Sequence, residues 1–530
     1  MTSIDYFTCR AYHCSDMLKK LASILVFIIL FALFFLVSGK LFFPEQTQKA
    51  LNLIKKVDQN TEETLTVGLS SDVTSFNPAT SGASNKEVLL NIYEGLVSID
   101  RDLQIEPALA VSLGSVDDFT WEFRLRPGVR FHDGSALTMT DVEGSIQFAQ
   151  EDSQSEIRDL LSNIEDFTVR SDDVFRITTG TPDPLFLQKL ANVLIFPQSQ
   201  IGTIATNPVG TGPYSFVEID GDTMILARHG SYWGISPDFE KIKFILLSSR
   251  DDRITMLRQK GVSIMVDVPP EFARDLDRGS EKIDYVFDHY PTLESTFLLF
   301  GFDGILKEKK LREAIRLLID RNEVNRLGYG FARPATQFVS PGIQGFHPGL
   351  KIPDLDLEKA SSLIKEVSPL DRLSVTLDLP VGFDALGTFV QESLESAGID
   401  VVLNFLSQPE LESKISSGES DFYFFGWRSE LGDASGLLTS VAHSPRGAFG
   451  EYSTGMGNAT VDTLVEGITT ETDQAIRLAD MRRVMEILVD EEIIGVPLVI
   501  PEVLYAISPD LVWTPRVDGY VLGEEVRKAD

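Results

Sequence analysis

A tryptophan and two carboxylates, Trp427, Glu430 and Asp433, follow Gly426 within one short stretch of the chain. A large flat ring beside acidic side chains suits the capture of something amphipathic that carries a positive charge. The residues just before them, Phe422, Tyr423, Phe424 and Phe425, have high strand propensity, and Gly426 ends that run. Ser420 to Leu438, SDFYFFGWRSELGDASGLL, is therefore expected to be a buried strand emptying into a polar loop. A core strand followed by a solvated turn is the other reading of the same residues. Elsewhere the residue types do not assemble into catalytic or metal-binding patterns. The six histidines, His13, His132, His229, His289, His347 and His443, form no His-Glu-x-x-His pair, and there is no Gly-x-Ser-x-Gly elbow. His132 beside Asp133 has no partner at ligand spacing, so a turn histidine with a structural hydrogen bond is expected there. No catalytic residue, cofactor or metal is expected.

The elements that must position these residues belong to a large protein. At 530 residues the chain exceeds one core, so two or three domains, or lobes entered more than once, are expected. Lys and Arg number 47 against 79 Asp and Glu, a formal charge of −32 at pH 7. Such a surface repels nucleic-acid phosphates and anionic headgroups, which argues against a nucleic-acid partner. The two cysteines, Cys9 and Cys14, leave the chain from Ser15 onward free of thiols and of any disulfide framework.

Lys19 and Lys20 introduce an apolar run from Leu21 to Val37 whose one polar residue is Ser23. Its 17 residues are short for a spanning helix and long for a signal-peptide core. Val37-Ser38-Gly39 offers a small-residue cleavage site, and Met17 an alternative start. Leu41, Phe42 and Phe43 instead extend the apolar character past Lys40. Anchor and cleaved signal both stay open, and basic residues on either side leave the orientation undecided. An acidic, cysteine-free chain behind a single N-terminal apolar segment has the form of an exported protein.

From Thr64 the pattern is mixed α/β. Thr120 to Leu125 alternates with a period of two, placing Trp121, Phe123 and Leu125 on one face of a half-buried strand. Turns follow at Arg126-Pro127-Gly128 and His132-Asp133-Gly134. A capped helix then starts with Thr140 as cap and Glu143 closing a capping box. Pro208-Val209-Gly210-Thr211-Gly212-Pro213-Tyr214 reads as a tight turn whose glycines supply positive φ, with Tyr232-Trp233 downstream.

Trp121 to Ile146, the Gly-Thr-Gly-Pro-Tyr turn and the segments Leu311 to Arg321, Ala332 to Ala335 and Phe389 to Phe405, in that order, resemble a known family. It is that of the extracellular solute-binding proteins of peptide ABC importers (dipeptide/oligopeptide-binding, solute-binding family 5). The resemblance implies an α/β, two-lobed periplasmic-binding-protein-like fold (type II, large cluster with an extra subdomain) behind one N-terminal transmembrane or signal helix. The implied parts are an N-terminal segment 1–20, the anchor or signal 21–43 and a tether 44–63. Lobe I would be 64–299, with the extra subdomain at about 97–200; lobe II would be 300–484, and 485–530 would return to lobe I. Chain crossings near Thr296 to Phe302 and Met485 to Pro497 would let the lobes close by hinge motion.

The implied function is capture, without chemistry, of a di- or oligopeptide between the lobes and its delivery to ABC permease subunits. The implied setting is the periplasmic or extracellular face of the plasma membrane, as a monomer. In the family an aspartate after Gly-Trp holds the ligand's α-ammonium, which carries over to Glu430. Trp427 and Gly426 would then wall the pocket, and Asp433 would contact the ligand or brace the loop. Glu430 in place of Asp and Ala434 in place of proline depart from the family pattern. An anchored peptide-sensing receptor of the same fold and a membrane-anchored hydrolase using Glu430 and Asp433 are the alternatives.

Overall fold

Strands buried on both faces read as unbroken apolar runs, and Glu294–Phe300 is one of them. Phe297 and Leu299 enter one hydrophobic core, Leu298 and Phe300 the core on the opposite side. Its antiparallel neighbour Phe422–Arg428 divides in the same way, Phe422 to one side and Tyr423 to the other. That two-sided burial accounts for the aromatic run. The computed structural model describes residues 63–80, 82–370, 372–444 and 449–529. Cys9, Cys14, the apolar run Leu21 to Val37 and the tether as far as residue 62 lie outside them. Among the described residues no helix is long and apolar enough to cross a membrane.

One mixed sheet runs through the described chain. From one edge its order is Ile399–Leu406, Leu373–Pro380, Phe422–Arg428, Glu294–Phe300, Gly495–Ile507, Ile264–Met265, Thr64–Leu69, Lys241–Leu246, Thr223–Arg228 and Tyr214–Asp220. The parallel pairing of Leu373–Pro380 with Ile399–Leu406 needs a crossover, which helix Asp384–Glu395 supplies. Gly495–Ile507 joins the two halves of the sheet. Its first residues pair with Glu294–Phe300, Val499 opposite Thr296, and its last with Val286–Pro291 and Ile264–Met265, Ile507 opposite both Val286 and Ile264. The chain therefore passes between the two halves at Pro291 to Glu294 and at Val499 to Glu502. These passages flank the expected crossings: Thr296 to Phe300 and Gly495 to Pro497 are already committed to the second half's ladder, and Met485 to Glu491 are helical.

A separate sheet, ordered Ala110–Ser115, Thr120–Leu125, Val174–Thr179 and Ile164–Val169, packs with helix Met139–Glu151 around its own core. Phe123 stacks on Phe175 at 5.3 Å between ring centroids, as the alternation of the strand requires. The helix is capped two residues earlier than expected. Thr138 is the cap: its backbone N–H donates to Asp141 Oδ2 at 2.9 Å, and the Asp141 N–H donates to Thr138 Oγ1 at 3.4 Å. The sequence TMTDVE holds two capping-box registers. The backbone N–H of Gln198, donating to Asp141 Oδ1 at 3.0 Å, ties the chosen one to its surroundings.

Candidate functional site

Beyond Arg428 the chain folds into a stapled loop. The Asp433 N–H donates to Ser429 Oγ and the Ser429 hydroxyl donates to the Asp433 carbonyl, both at 2.9 Å. Arg477 grips the Asp433 carboxylate in a two-pronged pair at 2.6 and 2.8 Å, with side chains only 0% and 1% exposed. The Ser435 N–H donates to the same carboxylate at 2.8 Å. Asp433 is thus saturated by protein donors and lies away from the cavity described below. Bracing, not ligand contact, is the role its geometry supports. The Ala434 N–H donates to the Gln344 carbonyl at 2.9 Å. A proline there would have no N–H to give, which accounts for alanine at that position.

Trp427 is half-buried against the core that holds Leu437 and Val484, and its Nε1 is buried without a partner among the described residues. Gly426 pairs opposite Thr296 and is exposed. Neither lines the cavity. Of the four residues singled out from sequence, Glu430 is the one that does, together with its neighbours Arg428 and Ser429.

This cavity, of about 500 Å³, lies between that loop and the first half of the sheet. Helix Ala83–Ile92 and the turn after it supply Lys86, Leu90, Tyr93 and Glu94, spaced so that they share one side. The C-terminal segment adds Arg516, Asp518, Tyr520 and Glu524. Lys86 Nζ donates to Asn192 Oδ1 at 2.8 Å and stands 4.0 Å from Glu430 Oε2. Burial holds the Lys86 ammonium below the usual lysine pKa, opposed by the Glu430 charge. Arg428 donates to the Asp518 carbonyl at 2.8 Å. Its Nε, buried without a hydrogen-bond partner among the described residues, lies 3.5 Å from Glu430 Oε1.

The opposite wall is organised around Glu94. Its carboxylate accepts from Thr211 Oγ1 at 2.7 Å, Trp233 Nε1 at 2.8 Å and the Tyr232 hydroxyl at 3.1 Å. The same hydroxyl is 3.0 Å from Glu524 Oε2. It has one proton for two carboxyl groups, so the array is complete when one of them is protonated. Burial pushes the Glu94 pKa up to about 7, against the lowering effect of the Trp233 and Thr211 hydrogen bonds, and it raises Glu524 as well.

The Gly-Thr-Gly-Pro-Tyr turn and the Tyr-Trp pair thereby converge on one carboxylate. The turn's glycines are required for a reason other than positive φ, which neither Gly210 nor Gly212 has. A Cβ on Gly210 would lie 2.1 Å from the Ile92 carbonyl oxygen, and one on Gly212 2.7 Å from it. They let this turn press against the helix end that carries Glu94. His132 is the structural turn residue expected. Its Nδ1 accepts from the Gly210 N–H at 3.2 Å and its Nε2 faces the Gly212 carbonyl at 3.0 Å, with the pKa lowered by burial to about 4.

Lys86, Arg428 and Glu94 escaped the sequence reading. The signal for two of them was the spacing of Lys86, Leu90, Tyr93 and Glu94 along one helix and the turn after it. Among the described residues no group of three or more His, Cys, Asp or Glu side chains is placed to hold a metal. The site presents charges, hydrogen-bond groups and aromatic walls, an arrangement for holding a polar molecule.

Residues 104–449 match the model described as bacterial extracellular solute-binding proteins, family 5 Middle. The chain is similar to the glutathione-binding protein GsiB of Pectobacterium atrosepticum, 26% identical over 438 residues, covering 77% of this chain and 83% of that protein. HbpA2 from Haemophilus parasuis superposes with a TM-score of 0.80 at 17% identity, over 88% of this chain and 100% of that one. The periplasmic binding protein DppA from Helicobacter pylori, in complex with the peptide STSA, gives 0.68 at 23% identity, over 88% and 98%. The architecture is the two-lobed α/β fold of periplasmic binding proteins.

Proposed function

The chain belongs to family 5 of the bacterial extracellular solute-binding proteins, components of ABC importers that bind peptides or similar ligands in the cell envelope, and we propose that it captures a short peptide in the cavity lined by Lys86 and Glu430. The observation that carries this reading is the cavity itself. Its volume of about 500 Å³ falls within the roughly 300–1,000 Å³ usual for small-ligand sites. Opposite charges approach from two separate parts of the chain. The glutathione bound by the Pectobacterium relative and the tetrapeptide held by the Helicobacter protein support a ligand of that scale.

In this reading the lobes expected at 64–299 and 300–484 change over at Pro291 to Glu294, 97–200 is a subdomain of the first, and the final return to it, expected from 485, comes at Val499 to Glu502. They open and close about the passages at Pro291 to Glu294 and Val499 to Glu502. Glu430 pairs with the ligand's ammonium, a charge-assisted contact of about 1.5–3 kcal/mol. Trp427 and Gly426 hold the loop's root, and Asp433 fixes its far end through Arg477. The closed, loaded form is delivered to permease subunits, and the segment Leu21 to Val37 keeps the protein at the membrane.

A panel of di- to tetrapeptides, tested by thermal unfolding of the full chain, is expected to contain stabilising members. A peptide present at a hundredfold excess over its Kd stabilises by about 2.7 kcal/mol. Glu430→Gln is expected to reduce that shift. Stabilisation by sugars or nickel chelates alone would overturn the peptide assignment.

A further inference from the structure

Leu103 stands in the left-handed region with a φ of 63°, a conformation that strains any side chain and that a turn ordinarily gives to glycine or asparagine. It is the tip of a hairpin, Val97–Ile99 paired with Ile105–Pro107. The turn is fixed from within. The Asp100 carboxylate accepts from the Asp102 and Gln104 N–H groups, both at 2.8 Å, and the Leu103 N–H donates to the Asp100 carbonyl at 3.1 Å. It is also fixed from outside. Arg516 donates to the Ile99 and Asp100 carbonyls at 2.8 and 3.2 Å, and the Val517 N–H donates to the Arg101 carbonyl at 3.3 Å. These bonds hold the backbone in a shape that glycine would take freely, yet the residue is a leucine.

The half-buried leucine side chain reaches across to the second half of the molecule. It packs against the core that contains Leu293, Leu437 and Val484, as does Val517, whereas its hairpin neighbour Ile105 packs against the core of the separate four-stranded sheet. Its seat is Gly432. A Cβ there would lie 3.2 Å from Leu103 Cδ1 and 3.5 Å from Leu103 Cβ, so glycine leaves the space that the leucine covers. Gly432 belongs to the loop that carries Glu430, and the Gln344 N–H, donating to its carbonyl at 2.9 Å, ties it to the second half. Leu103 also lines the cavity, as do Ile99 and Glu430. A strained residue on one half and a side-chain-free seat on the other therefore meet at the cavity wall.

We infer that Leu103 is a clasp between the lobes: its side chain, seated on Gly432, holds the cavity closed and comes away when the lobes part. This rests on the two-lobed capture reading but not on what the ligand is. Backbone strain persists where the surrounding structure over-determines it and where it serves a contact. Here the contact is apolar and half-buried, so it can be made and broken without stranding a polar group. The hairpin is braced by Arg516 and Val517 and the seat by Gln344, so motion about Pro291 to Glu294 and Val499 to Glu502 draws one from the other. Polar contacts cross beside it. Arg428 donates to the Asp518 carbonyl at 2.8 Å, and the Thr472 hydroxyl donates to Asp118 Oδ1 at 3.5 Å.

The test is the distance between nitroxide spin labels on cysteines placed at Val116 and Ile476. Both positions are exposed and flank the Thr472–Asp118 contact, one on each half. The full chain is used without ligand and carries Cys9→Ser and Cys14→Ser, so that the labels go to the new cysteines alone. With Leu103 in place the short distance is expected to dominate, and Leu103→Gly to lower the ratio of short to long by about tenfold. Leu103→Asn tolerates the left-handed turn but is polar, and is expected to behave like the glycine variant. Leu103→Met keeps an apolar side chain on the same turn and is expected to retain most of the short population. A mainly long distance with Leu103 in place, two populations whose ratio Leu103→Gly leaves unchanged, or an equal loss with Leu103→Met would overturn the clasp while leaving the two-lobed reading standing. A single distance shared by all four proteins would remove the lobe motion and the clasp with it.

Discussion

Replacing Arg477 with methionine is expected to destabilise the protein by about 3–5 kcal/mol, the loss typical when one partner of a buried ion pair is removed. The pair it forms with Asp433 is sealed from water, and Arg477 Nε also donates to the Ile468 carbonyl at 3.0 Å. Methionine would leave a carboxylate in the core of the second half with a lone backbone donor, Ser435 N–H, on one oxygen. Its negative charge would have no neutralising partner among the described residues. The double variant Arg477→Met, Asp433→Leu is expected to recover much of the loss, because no uncompensated charge then stays buried. Urea denaturation of wild type, single and double variants measures both effects. A single variant as stable as wild type would show that the pair does not hold the loop. The single variant should also bind ligand more weakly, since Ser429 and Asp433 bracket the residue that faces the cavity.

Glu94 is expected to make stability fall as the pH rises from about 4.5 to about 7. Its folded pKa, about 7, lies above the ordinary value of 4.5 because burial disfavours the carboxylate. Over that window the unfolded chain has released the proton while the folded one keeps it, so ionisation favours unfolding. Each unit of difference is worth about 1.4 kcal/mol, which makes the loss on the order of a few kcal/mol. His132 acts in the opposite direction. Its pKa is lowered from 6.5 to about 4, so acidification between those values protonates the unfolded chain first and destabilises the fold. Glu87, pushed up to about 8 by burial, adds a fall that continues to higher pH. The effect of Glu94 is therefore read from the difference between wild type and Glu94→Gln, whose amide mimics the protonated acid. Denaturation curves at pH 4.5, 6 and 7.5 are expected to show the variant gaining on wild type as the pH rises. Parallel pH profiles would contradict the assignment.

What was legible in the sequence was whatever a local pattern decides. Two-sided burial wrote itself into Phe422 to Phe425, and the alternation of Thr120 to Leu125 matched a strand with Phe123 and Leu125 buried. The strand does not end at Gly426 as expected but runs on to Arg428, with Gly426 paired to Thr296 and Trp427 to Ser295, so the loop that carries Glu430 begins at Ser429. Partners distant in sequence decided the rest. Lys86 and Glu430 are brought together by the fold alone, and the helix that carries Lys86 looks polar because Asn85, Glu87 and Asn91 are buried in it. Glu87 accepts from the Val521 N–H and Asn91 from the Gly523 N–H, both at 2.8 Å, so polar residues do the work of core contacts. The helix cap shows the same limit, since two registers of one motif were available and the contact from Gln198 accompanies the one used. Asp433 and Glu430 looked alike on the page. Arg477, far along the chain, separates them.

The central claim is that a short peptide is the molecule held between Lys86 and Glu430. Mass spectrometry of small molecules released from the full chain, purified without added ligand, tests it most directly. The expected result is a peptide of a few residues, retained by the wild type and depleted from the Glu430→Gln variant. An oligosaccharide or a metal chelate in its place, or a peptide retained equally by both proteins, would contradict the claim.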